Sequence, residues 1–473
     1  MACKCPDEAL LIFTIPLELT HRILTFCRPR DVAVFSRTCR IAYQLAQDEY
    51  LWQRLWHAYP FDDPQLILSQ RRAVKLPTDL TVHAEVGRWR VELTRRMKAE
   101  FIATMKLKDL PRVSVGDKRD ALDILVSAVS MTLPALDDTP FSANMRWLDT
   151  VLHKSELVMS TTTAFDCSPE ILNRLAHLRS CMDPAWADRT MQQESTRRNE
   201  SRAFVYDLRN YSSGNDFGPF DPSGDVNWIH VEHLINVILA NIRDLPSYPV
   251  APPLELESLR AYTAPGQHSL QDWAGVQGGV HWYPLSTIPL LTVPQEHGGD
   301  MFVSWTIGIF LPSTFQIINT LRKYSDIAGD LRHPNFFEDP RFREATRLIE
   351  VKLNVVPQAE IRFFPSSELL PSASAQHPLI FFSGLSRGNN GNEAAVEGFV
   401  RMANDGTTRW KLISIYDHSP QWSFHGVQIG DICSAKGIIG VWTTTTHEIG
   451  DPAGPSWLWK AAEDCSEYLM DYV

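Results

Sequence analysis

Residues 15–56, IPLELTHRILTFCRPRDVAVFSRTCRIAYQLAQDEYLWQRLW, constrain the fold more than any other stretch. They read as three short helices with a tryptophan-rich finish, and a unit of about forty residues is too small to build a sufficient core alone. Its apolar surface has to be covered by the rest of the chain or by another protein. Pro16 suits a first helical position, where its missing N–H costs nothing. Leu19, Ile23 and Phe26 recur at i, i+4 and i+7, the stripe of an amphipathic helix. Arg28-Pro29 ends that helix, because the residue before proline is pushed out of the α region. Asp31 is read as the cap of a second helix carrying Val32, Phe35 and Cys39 on one side. A third helix carries Leu51, Trp52, Leu55 and Trp56.

Ile15-Pro16-Leu17-Glu18-Leu19, Asp31-Val32, Cys39-Arg40 and Leu51-Trp52 fall where an F-box has its anchors, with Ile15 in place of the usual Leu. The segment resembles the F-box family over less than a tenth of the chain. That resemblance implies docking on a Skp-type adaptor and, through it, on a cullin–RING ubiquitin ligase. The implied adaptor-binding residues are Ile15, Pro16, Leu19, Ile23, Leu24, Val32, Val34, Trp52 and Leu55. Burial of such a face in a partner is the helix-in-groove mode of recognition.

The chain has 473 residues, 44% of them hydrophobic, enough for several domains. A net charge of −11 argues against nucleic acid as a partner. No apolar run is long enough to cross a bilayer; the longest, Met301 to Leu311, suits a buried strand. The first residues do not read as a secretory signal, since Asp7 and Glu8 precede a short apolar stretch that Pro16-Leu17-Glu18 interrupts. Eight widely spaced cysteines fit free thiols in a reducing compartment, so a cytoplasmic or nuclear location is expected, with no membrane partner.

Residues 61–202 read as a helical linker region, with helices around Val91 to Met105, Ala121 to Val129 and Leu172 to Met182. Ala187 to Ser201 is polar enough to be a linker or a solvated helix end. Arg71, Arg72, Arg88, Arg90, Arg95 and Arg96 read as a solvated face. From residue 203, short apolar runs between turn signals predict strands at 280–283, 302–310, 350–356, 379–382 and 396–402. Helices are expected at Val231 to Ile242 and Pro340 to Leu348, and exposed loops at 365–378 and 387–394. Asn404-Asp405-Gly406 predicts a hairpin into a return strand from Arg409 to Tyr416. Trp410 and Leu412 face one side of that strand, Ile413 and Ile415 the other, so it is buried on both faces. Strands at 422–429 and 437–443 follow, with glycines that permit a curved, closed sheet.

Tyr206-Asp207-x-Arg209-Asn210-Tyr211, Gly218-Pro219-Phe220, Val226-Asn227-Trp228, Asp272-Trp273-Ala274-Gly275-Val276, Gly426 to Gly430, Gly440-Val441-Trp442 and Asp451-Pro452-x-Gly454-Pro455-x-Trp457-x-Trp459-Lys460 are similar to recurring motifs of fungal, basidiomycete-type F-box proteins. The same region is more loosely similar to the substrate domain of F-box only protein 31, a receptor of β-barrel type that recognises protein C-termini. This resemblance implies a β-barrel reader of a protein target, without transferring the ligand. By their chemistry the motifs are first structural: Asp207 and Arg209 suit a loop staple, and the tryptophans suit core or barrel lining. A hydroxyl-rich loop from Thr444 to Ser456 is the candidate target-side element, with Trp442, His447, Asp451 and Trp457 as its residues.

Gly384-Leu385-Ser386-Arg387-Gly388 matches G-x-S-x-G, but the following Asn389-Asn390-Gly391-Asn392 is loop chemistry where a hydrolase needs a helix. His153, Cys167, His177 and Cys181 fit no compact zinc spacing. No catalytic residue, cofactor or metal is therefore expected. The expectation is an α+β chain: a three-helix F-box (10–60), a helical linker region (61–202) and a mostly antiparallel, barrel-like β domain (203–462). It reads as a non-catalytic substrate receptor of an SCF-type (Skp–cullin–F-box) ligase acting on an unknown protein substrate. The alternatives are an F-box scaffold acting outside a ligase and a serine hydrolase with an F-box-like segment.

Overall fold

The computed structural model describes residues 15–74, 76, 88–136, 139, 141–159, 168–182, 191–243, 253–264, 303–311, 333–338, 345–364, 369, 371, 377–388, 392–448, 451 and 453–460. The expected strand at 280–283, the motif at 272–276, most of the 365–378 loop, and Cys3, Cys5, Cys167 and Cys465 lie outside them. The chain is α+β, with helices first and an antiparallel sheet at the C-terminal end. It folds as two compact units. Met1–Ser69, Thr78–Thr132 and Ser142–Leu157 make the first; Gln70–Pro77, Leu133–Phe141 and Val158–Val473 make the second. These units do not divide at residues 60 and 202, because the intermediate helices are shared between them.

The helices up to Met159 are α1 (Leu17–Leu24), α2 (Pro29–Phe35), α3 (Arg40–Leu45), α4 (Glu49–Ala58), α5 (Pro64–Ala73), α6 (Trp89–Ala103), α7 (Val115–Ser130), α8 (Ala143–Lys154) and α9 (Glu156–Met159). The opening segment thus has four helices rather than three. Pro16 stands just ahead of α1, its carbonyl accepting from Leu19 and Thr20 N–H at 3.0 and 3.1 Å. Asp31 is not a cap: α2 begins at Pro29, and Asp31 in its first turn pairs with Arg28 Nε at 2.9 Å. The caps are Cys39, whose Sγ accepts from Ala42 N–H, and Asp48, which accepts from Tyr50 N–H.

The α4 face is covered within its own unit. Trp56 packs on Phe61 and Trp89, with ring centroids 4.8 and 5.9 Å apart. Arg96 of α6, expected on a solvated face, is buried here. Its guanidinium lies 4.7, 4.8 and 5.5 Å from the rings of Trp56, Phe61 and Trp147, and Nη1 donates to Asn144 Oδ1 at 2.6 Å. Three aromatic faces, Asn144 and Glu92, whose Oε1 accepts from Arg96 Nε at 3.2 Å, replace the water the charge loses. Asp62 completes the network by accepting from Ser142 Oγ and Ala143 N–H at the start of α8.

In the second unit, α10 (Pro169–Cys181), α11 (Met191–Val205) and α12 (Trp228–Arg243) accompany eight strands. Helix α11 takes up most of the tract read as linker or helix end. Its polar residues are partly buried: Arg197 meets Glu232 at 2.7 Å, and Ser201 meets His233 Nδ1 at 3.0 Å. The strands are β1 (Val303–Leu311), β2 (Ala345–Val356), β3 (Ile380–Gly388), β4 (Glu393–Met402), β5 (Thr408–Tyr416), β6 (Ser419–Gln428), β7 (Ile438–Thr444) and β8 (Ala453–Lys460). β2 to β8 form an antiparallel meander, and β1 pairs with both β2 and β8, the order of pairing in a barrel. The helix expected at Pro340 to Leu348 is replaced from Ala345 onward by β2, whose backbone pairs with β1 and β3. The stretch read as a loop to Ser456 becomes strand from Ala453.

Val351, Leu353, Phe382, Val396, Val400, Trp410, Leu412, Phe424, Ile438 and Leu458 form one buried cluster inside the sheet. One end of that cluster is stopped by segments distant in sequence: Val74, Leu76, Ala261 and Tyr262 belong to the same core. Tyr262 N–H donates to Ile432 O at 3.0 Å, and its hydroxyl donates to Val74 O at 3.3 Å. Arg71, also expected in solvent, is fully buried there and meets Asp431 at 2.5 Å.

Candidate functional site

Helix α1 is inside out for a self-contained fold. Thr20 and Leu24 are buried, whereas the predicted stripe Leu19, Ile23 and Phe26 is 51%, 45% and 81% exposed. Leu17, Val34, Ile41, Tyr43 and Tyr50 extend it. These eight are the majority of the fifteen large hydrophobics exposed among the described residues. Exposed apolar side chains gathered on one short stretch of chain make a candidate binding face.

The residues assigned to adaptor binding divide. Pro16, Leu19, Ile23 and Val34 are exposed, and Ile15 is half-buried. Leu24, Val32, Trp52 and Leu55 are buried in the unit's own core. Trp52 Nε1 donates to Ala46 O at 2.7 Å, which holds its ring inward. Sequence reasoning missed Ile41, Tyr43 and Tyr50 as part of the apolar surface. The signal was that α3 and the start of α4 hold more apolar residues than helices so short can bury.

The target-side residues also separate. Trp442 and Trp457 lie on β7 and β8 and are buried; neither is in a loop. Trp442 fills the space over Gly454, where a Cβ would come 2.6 Å from its Nε1, and Trp457 Nε1 donates to Lys436 O at 2.7 Å. His447 and Asp451 do lie after β7. Asp451 accepts from Thr444 Oγ1, from Thr446 Oγ1 at 2.8 Å and from Glu448 N–H at 2.7 Å. Burial raises its carboxyl pKa, but these donors outweigh it and leave the pKa below the usual carboxylate value. This end of β7 lies away from the β6–β7 connection, where Ile432 meets Tyr262.

The remaining motifs prove structural. Asp207 holds Arg209 through two 2.8 Å contacts, as expected for a loop staple. At 221–225, Asp221 gathers the donors, accepting from Ser223 N–H and Asp225 N–H. Ser386 is in mid-strand with Oγ 3.4 Å from Ala394 O, so G-x-S-x-G forms no strand-to-helix elbow here. His177 stacks on Trp228 at 3.5 Å, and burial pulls its pKa down to about 3. Burial pushes the Cys181 thiol up to about 12. Among the described residues no group of three His, Cys, Asp or Glu is placed to hold a metal ion, and no helix is long and apolar enough to cross a membrane.

The helical unit covers α4 and leaves apolar side chains of α1 to α3 exposed. Residues 12–58 match the F-box-like family, so the chain carries an F-box-like domain spanning α1 to α4. No curated protein and no solved structure matches the chain.

Proposed function

We propose that the chain is the substrate-recognition subunit of an SCF-type ubiquitin ligase, with no catalytic role of its own. The observation that carries this reading is the exposure of Leu19 and Ile23 on α1, and of Phe26 in the turn after it, while Thr20 and Leu24 on the other face are buried. Pro16, Leu19, Ile23 and Val34, with Ile15 at the edge, are the residues offered to a Skp-type adaptor, while Leu24, Val32, Trp52 and Leu55 hold them in place. The second unit binds the protein target and raises its effective concentration beside the ubiquitin-loaded enzyme. The resemblance of residues 203–460 to fungal F-box proteins, and the looser one to F-box only protein 31, supports target binding by a barrel. One end of the sheet is stopped by Val74, Leu76 and Tyr262, so recognition is assigned to the opposite end, around His447 and Asp451. This role belongs in the cytosol or nucleus.

Co-purification tests it. Wild type is expected to recover adaptor and cullin. Leu19→Asp with Ile23→Asp should abolish both without changing the melting temperature, since both positions are exposed. No adaptor with wild type, or equal adaptor with the double variant, rejects the reading. Adaptor without cullin would favour a scaffold acting outside a ligase.

A further inference from the structure

His447 lies flat on Phe217, with ring centroids 3.7 Å apart and planes 6° from parallel. The stack joins the residues after β7 to the turn Ser212–Phe220, more than two hundred positions earlier. Asp216, Phe217 and His447 all have positive φ, 51°, 53° and 51°. Non-glycine residues persist in that region only where surrounding contacts fix them. Behind the stack His425 of β6 is buried, its ring 6.1 Å from that of His447 and its Nδ1 3.4 Å from Asp216 Oδ2. Lys411 of β5 takes the other Asp216 oxygen at 3.1 Å.

The charged and titratable groups facing His447 are thus Lys411 of β5, His425 of β6, Asp216 of the turn and Asp451 of its own loop. Asp216 is already shared by Lys411 and His425, and Asp451 is engaged by Thr444, Thr446 and Glu448. A proton on His447 would add a cation beside Lys411, while the two nearby carboxylates already accept from other donors.

We propose that the His447–Phe217 stack is an acid-released latch: neutral His447 holds residues 444–448 against the turn Ser212–Phe220, and protonation frees both. The latch is a property of the second unit and stands whichever face binds a target. Burial, then His425 and Lys411, bring the His447 pKa down to about 4, against opposing pulls from Asp216 and Asp451. A released histidine titrates near 6.5, so opening becomes easier as pH falls below that value. With allowance for solvent screening, the open fraction should rise on the order of tenfold between pH 7.5 and pH 5.

Hydrogen exchange on the full chain, corrected for intrinsic rates, reads this directly. Peptides covering 212–220 and 444–448 are expected to exchange about tenfold faster at pH 5 while β5 stays protected. His447→Phe keeps a flat ring on Phe217 without a titrating group and should stay closed at both pH values. The proposal is overturned if wild type shows no local rise, if β5 opens together with the two segments, or if His447→Phe rises as wild type does.

Discussion

Arg71 and Arg96 show how far single side chains depart from what their neighbours in sequence suggest. Both sit in arginine-rich stretches that read as solvated. Arg96 is enclosed by Trp56, Phe61 and Trp147, and Arg71 is paired with Asp431. Nothing local announces these burials, because the partners come from distant parts of the chain. Arg71→Met leaves the Asp431 carboxylate buried without this guanidinium and should destabilise the second unit by about 3–5 kcal/mol in chemical denaturation. Adding Asp431→Leu should recover most of that loss, since an apolar pair of similar volume replaces a buried ion pair at little net cost. Gly437 is a second residue with no latitude: its φ is 80°, and a Cβ would come 2.0 Å from Leu458 O. Gly437→Ala is expected to lower the melting temperature by several degrees, the shift that about 1–3 kcal/mol produces in a unit of this size.

At the level of elements, what the sequence reveals is what local chemistry decides. The α1 stripe, the α12 helix and the turn at Asn404-Asp405-Gly406 are all where their patterns put them; Gly406 takes φ 77° and Asp405 accepts from Thr407 N–H at 3.0 Å. β5 is buried on both faces, as its apolar residues on both sides require. The failures have one cause. The Arg-Glu-Ala-Thr-Arg-Leu run before Ile349 has good helix formers, but backbone pairing with β1 overrides propensity from Ala345, and β3 joins from Ile349. Gly454-Pro455 reads as a turn, yet both belong to β8. Pro455 stands one residue ahead of Ser456, where pairing with β1 begins, so its missing N–H removes no bond to that neighbour. The candidate adaptor face was legible as a helix stripe. Which of its residues would be turned inward was not, because that depends on how α1 to α4 pack on one another. The His447–Phe217 contact left no trace in the sequence, since neither residue is special until the sheet brings the two segments together.

For the whole molecule, buried histidines set an acid limit. His177, His230 and His233 are held by burial at pKa values of about 3, 3 and 4. Above about pH 6.5 they are neutral folded or unfolded and pH has no leverage through them. Below it the unfolded chain takes up protons that the folded chain refuses, so stability falls continuously toward pH 4. Each histidine costs about 1.4 kcal/mol per pH unit in that window. Thermal melts from pH 7.5 to pH 4.5 should show this slope, and His177→Phe, which keeps a ring against Trp228, should make it shallower. The unit boundaries make a further prediction. A chain begun at residue 203 lacks Val74, Leu76 and the 133–141 segment and should show no cooperative transition. One begun at residue 61 should keep the transition of the second unit.

The buried Arg71–Asp431 pair also dictates a schedule. Its partners are 360 positions apart in the chain. At roughly 5–20 residues per second, a ribosome needs about 20–70 s to make the second after the first. Throughout that interval Val74 and Leu76 have no sheet to pack against, while the helices of the first unit, complete by Leu157, can already be folded. The exposed apolar stripe of the first unit is therefore on display long before the second unit is complete. If the proposed adaptor docks on that stripe, selective ribosome profiling should find it on newborn chains while they are still attached to the ribosome.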